Sequence, residues 1–252
     1  MSLIAVFVIF VCLPVGAARE FEDTHIEFRM TEGSFGLTSI LLAGSRMRTD
    51  VGAESLIVES TSRTVVMLNH QRKTFSRITE ANREAFFKAI AGMMAEFRKS
   101  FEDLSPAERA ALLARQPELT PLIDGGATTV EPGGVSTVAG RTCTVHRFTL
   151  NKVPSGEACV VTAESLSLPE KDAASFKAAL AVLSGFTTQL QKLLPPAPSN
   201  ASVLSESSVP LRQTTIALGV RHTSEFVGVS HGAISMDVFS IPAGYTEATP
   251  GG

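Results

Sequence analysis

The chain has 252 residues, 22 Lys and Arg against 25 Asp and Glu, and a formal net charge of -3. That balance, with a pI near 6.0, excludes the basic stripe expected of a nucleic-acid binder. Trp is absent, Tyr occurs once, and there are three cysteines.

Residues 1–18 form an apolar and small-residue run ending Val15-Gly16-Ala17-Ala18 before Arg19-Glu20. Its apolar part, Leu3 to Val15, is too short for a membrane span, and small residues at Gly16 and Ala18 suit a signal peptidase. The run therefore reads as a signal peptide cleaved after Ala18, although no Lys or Arg precedes it. The expected location is periplasmic or secreted. The mature chain of about 234 residues is long enough to bury a sizeable core, and no later apolar run has the 18 residues of a transmembrane span.

Alternation then dominates. Ile26, Phe28 and Met30 share one face and His25, Glu27 and Arg29 the other, the period of a half-buried strand. Residues 36–42, 46–51, 56–60, 64–68 and 73–78 repeat the pattern across short turns, which predicts an antiparallel meander because parallel pairing needs longer crossovers. Between Glu80 and Glu102 the period changes to three and four residues, and Phe86, Ile90, Met93, Met94, Phe97 and Phe101 mark the apolar side of a long helix. Ser105-Pro106-Ala107-Glu108 is a capping box that opens a second helix to about Arg115. Residues 117–134, rich in Pro, Gly and Thr, read as a loop.

Strands are expected again at 135–138, 142–150 and 158–163, with 151–156 as the turn. Ser167-Leu168-Pro169-Glu170 reads as the start of a third helix, with Phe176, Leu180, Leu183, Leu190 and Leu194 on its apolar side until Pro195 ends it. Residues 195–208 read as a flexible linker, and strands at 214–218, 225–229 and 233–241 close the chain. Cys143 and Cys159 are an even pair in an oxidising compartment. A hairpin centred near 152–155 leaves them several residues out of register, so a disulfide and two buried thiols both stay open.

Motifs for chemistry are sparse. Gly228-Val229-Ser230-His231-Gly232 fits the pattern of a nucleophile elbow, but an alternating stretch follows it where a helix is required, so Ser230 to Gly232 reads as a hairpin turn. His25, His70, His146, His222 and His231 are scattered without metal-ligand spacing. The sequence therefore points to no enzyme, no metal and no cofactor.

Val209-Pro210-Leu211-Arg212 and the ending from Val238 to Tyr245 resemble an exported bacterial family, domain of unknown function 4412. Ser45-Arg46-Met47-Arg48, the strand-turn-strand from Val65 to Phe75, and Gly140-Arg141-Thr142-Cys143 agree with it. The resemblance implies a single α+β domain over 19–252, similar to the LolA and LolB carriers: a curved antiparallel sheet, an incomplete barrel, covered by helices. It further implies a hydrophobic ligand, a lipid or an acylated protein, held in the concave face, with the stripe Phe86, Ile90, Met93, Met94, Phe97 and Phe101 as candidate lining. Core packing of that stripe is the competing reading, and Leu180, Leu183 and Phe186 present the same choice. The alternative function is an envelope module that binds a protein partner or senses stress.

Overall fold

The computed structural model describes residues 23–115, 128–193, 208–217 and 220–248. The signal peptide expected at 1–18, most of the loop expected from 117 and most of the linker expected from 195 lie outside them.

Twelve strands form one sheet. β1 (Asp23–Glu32), β2 (Leu37–Ala43), β3 (Arg46–Val51), β4 (Glu54–Glu59), β5 (Thr64–Asn69) and β6 (Thr74–Ile78) follow one another as the expected meander. β7 (Thr128–Val138), β8 (Arg141–Leu150) and β9 (Val153–Thr162) make a second one, continued by β10 (Ser208–Ala217) and β11 (Val220–Gly232). The meanders join where β11 pairs with β1, and the short β12 (Thr246–Glu247) adds to β6 as the one parallel pair among the described strands, in the order β12-β6-β5-β4-β3-β2-β1-β11-β10-β9-β8-β7. The β7–β8 and β8–β9 turns place their two central residues at positive φ, Ala139-Gly140 and Asn151-Lys152, the twist that suits antiparallel strands.

Helices α1 (Arg83–Glu102), α2 (Pro106–Arg115) and α3 (Glu170–Leu193) interrupt the sheet. The capping box holds: Ser105 N donates to Glu108 Oε2 at 2.8 Å and Glu108 N to Ser105 Oγ at 3.3 Å. α3 packs on β2, β3 and β4, α1 leans on α3, and α2 buries no side chain. Strand outweighs helix, 48% to 31% of the described residues. The expectation of an α+β fold, an incomplete barrel covered by helices, is therefore corrected. The molecule is a large open antiparallel sheet; among the described residues α3 lies on β2 to β4, α1 reaches the sheet at Val65 and Ile78, and no helical layer covers it.

Two local expectations also change. β7 begins at Thr128, inside the expected loop, because Pro132 and Gly133-Gly134 sit at a register shift in a strand with a neighbour on one side only, where Pro and Gly are tolerated. Residues 233–241 are not a strand: they cross the sheet face opposite α3 and form a 3₁₀ turn at Met236–Phe239. Ser230 to Gly232 is strand rather than turn, paired with β1.

The main core lies between α3 and the sheet, with Phe176 and Ala179 buried against Ile26, Leu42 and Met47. The start of α3 is fastened by two side-chain bonds, Thr24 Oγ1 to Asp172 and Ser175 Oγ to the Gly44 carbonyl at 2.6 Å. Cys143 and Cys159 are joined by a disulfide with Cα atoms 5.4 Å apart. The turn is only two residues long and a bulge follows Phe148, so Val145 faces Cys159 and the bridge runs along a diagonal. That corrects the register expected from a longer turn.

Candidate functional site

Alternation along the first meander gives the sheet two unlike faces. On β3, β4 and β5 the side chains of Met47, Thr49, Val51, Leu56 and Met67 point toward α3 and line a cavity of about 490 Å³. α3 contributes Phe176, Leu180, Leu183, Ser184 and Thr187, spaced as one helical face. Phe186 also lines it, at the flank where α1 approaches. The remaining wall comes from Leu37 and Ile40 on β2, Ser208, Pro210, Gln213 and Thr215 on β10, His222 on β11, and the β1–β2 loop through Phe35 and Gly36. Among the described lining residues there is no Lys, Arg, Asp or Glu. The volume falls within the range of about 300–1,000 Å³ usual for small-ligand sites, and a chiefly apolar lining with a few polar groups is their usual chemistry.

Three of the polar groups sit together on β10 and β11. Thr215 and His222 face each other in register across β10 and β11, with Gln213 two residues along. His222 is fixed by the β1–β2 loop: Ser34 N and Phe35 N donate to its Nδ1 at 3.2 and 3.3 Å. The approach depends on Gly33, at φ +72°, where a Cβ would stand 2.2 Å from His222 Nδ1. Phe35 packs edge-on against the imidazole, 6.3 Å between centroids, and remains 47% exposed.

The α1 stripe lies elsewhere. Phe86 is buried against Phe87 and Phe186, 5.7 and 5.9 Å between ring centroids, in a cluster with Val65 and Ile78, and Ile90 packs beside it. Met94 and Phe101 are buried, Phe97 is half-buried, and Met93 is 41% exposed. None of the six is among the residues lining the cavity. α1 supports the site from behind, through Phe86 on Phe186 and through Arg83 Nε donating to Gln189 Oε1 at 3.1 Å. The strand methionines and His222 carry no sequence signal of their own, since alternation marks them only as one face of a sheet.

On the opposite face of the same strands, the C-terminal segment is clasped by a chain of polar bonds. Tyr245 OH and His70 Nδ1 are 2.6 Å apart, and His70 Nε2 and Ser55 Oγ are also 2.6 Å apart. Ser55 donates to Asp50 Oδ1 and accepts from Arg48 Nη2 at 2.9 Å. Arg48 Nε donates to Asp50 at 2.8 Å and its Nη1 to the Val238 carbonyl at 2.6 Å. Burial pushes the Asp50 carboxyl up, but bonds from Ser39, Ser55 and Arg48 and the Arg48 charge outweigh it and hold the group below its ordinary value. Ser55 is buried and its proton is committed to Asp50, so its closeness to His70 does not make a nucleophile-base pair. The Ser230 motif lies within a strand and lacks the strand-to-helix turn of an elbow. Among the described residues no three His, Cys, Asp or Glu side chains are placed to hold a metal ion, and no helix is long and apolar enough to cross a membrane.

No family model matches the chain, and no curated protein does. Among solved structures it resembles PNGF-II in a C2 crystal form, with a TM-score of 0.34 and 8% identity over 90% of this chain. The match spans 31% of that protein's chain. A likeness this slight carries no argument about activity.

Proposed function

We propose that this chain is an exported binding protein that holds an apolar ligand, a lipid or an acyl chain, between the sheet and α3. The observation that carries the reading is the cavity of about 490 Å³ without a charged side chain among its described lining residues. A chiefly apolar cleft of this size between a helix and a sheet is the usual form of a small-ligand site. Met47 and Met67 suit such a site because flexible thioethers adapt to an irregular chain. The Cys143–Cys159 bridge fits an oxidising compartment.

The test is native mass spectrometry of the protein purified from an exporting host, followed by lipid extraction, beside the variant Leu183→Trp. The indole fills the cavity from α3, so wild type is expected to carry a lipid-sized adduct and the variant to fly bare. A bare wild type that stays bare after incubation with phospholipid vesicles contradicts the proposal and moves the weight to a protein partner.

A further inference from the structure

We infer that His222 sets the ligand's polar end, and that it selects an uncharged carbonyl, as in an ester- or amide-linked acyl chain, over a free carboxylate. The inference rests on the reading that the cavity holds an acyl chain.

The tautomer follows from the bonds to the ring. Nδ1 faces two backbone N–H donors, Ser34 N at 3.2 Å and Phe35 N at 3.3 Å, so it presents its lone pair. A neutral imidazole then carries its one proton on Nε2. Gly33 enforces this arrangement, because a Cβ there would collide with Nδ1 and the loop would have to withdraw. His222 lines the cavity, and with Nδ1 held by the loop, Nε2–H is the ring donor left for a ligand. The site therefore offers a donor whose direction the loop fixes, beside Gln213 and Thr215.

Charge then chooses between acceptors. A carboxylate brought to His222 would meet no Lys or Arg among the described lining residues to balance it. Arg221, the neighbour of His222 in sequence, is not a lining residue and is paired with Glu32 at 4.0 Å. His222 could supply a positive charge only by taking a second proton on Nδ1, which would aim that proton at the Ser34 and Phe35 N–H groups and break both loop bonds. An ester or amide carbonyl needs no countercharge and is satisfied by Nε2–H alone.

The test is displacement of N-phenyl-1-naphthylamine at pH 8 by hexadecane, methyl palmitate and palmitate, from wild type, His222→Asn and His222→Gln. An Asn oxygen stands near the place of Nδ1, so His222→Asn keeps the loop bonds and loses the donor. A Gln nitrogen stands near Nε2 and keeps the donor. In wild type the methyl ester should displace the probe about fivefold better than the alkane, the worth of one net hydrogen bond, and better than palmitate. The advantage over alkane should vanish in His222→Asn and persist in His222→Gln. Palmitate matching or beating the ester in wild type overturns the inference while leaving the site reading intact, and this limb needs no variant to fold. An ester advantage that survives in His222→Asn also overturns it. Failure of all three compounds to displace the probe from wild type removes the site reading and the inference together.

Discussion

The two faces of β3, β4 and β5 differ in how completely they are filled. Arg48, Asp50 and Ser55 belong to one, and their sequence neighbours Thr49 and Leu56 to the other. On the first face the polar side chains meet one another and the crossing C-terminal segment, and apolar Ile57, Leu68 and Phe239 close the space around them. On the second, α3 stands off far enough to leave the cavity. One set of strands thus keeps a closed side for stability and an open side for a ligand, and changes to the two sides should separate in experiment.

The largest expected effect is on the closed side. Arg48→Ala leaves Asp50 without its cation and the Val238 carbonyl without a donor, and should cost about 3 kcal/mol of unfolding free energy. Probe affinity measured on the folded variant should stay within about twofold of wild type. A large loss of affinity in the folded variant would show that the faces are coupled. A smaller loss of stability follows from protonating Asp50 in place. Its carboxyl is held below the ordinary 3.8, so its contribution is complete above that value and disappears as pH falls through the lower folded value. Denaturation midpoints followed downward in pH should drop more steeply in wild type than in Asp50→Asn; parallel curves would remove Asp50 from the clasp. The smallest effect belongs to Tyr245→Phe, which deletes the bond to His70 and should cost about 1 kcal/mol without altering probe binding.

Much of this was legible in sequence where one local rule governs. β1 to β6 alternate cleanly, Ser105 and Glu108 announce α2, and the apolar spacing from Phe176 to Leu190 marks α3. The first part of β7, residues 128–134, was missed because Pro132 and the glycine pair read as loop, and only its position at the sheet border makes them acceptable there. Residues 233–241 misled because their alternation serves a segment lying across a sheet, where Ile234, Val238 and Ile241 reach the second core cluster. The site was the least legible part. Its walls come from six strands, one helix and a loop distant in sequence, so no single stretch announces it. The aromatic and Met-rich face of α1 is conspicuous because it packs behind Phe186 against β5 and β6. α3, with the plainer stripe, received the cavity because it lies on the sheet.

The most direct test of the central claim is titration of N-phenyl-1-naphthylamine into wild type, Leu183→Trp and the α1 double variant Met94→Ala with Phe97→Ala, each checked for folding by circular dichroism. The account predicts that Leu183→Trp loses at least tenfold in affinity while the α1 variant stays within about twofold of wild type. Loss of binding in the folded α1 variant with wild-type affinity in Leu183→Trp would place the ligand against α1 and contradict the account.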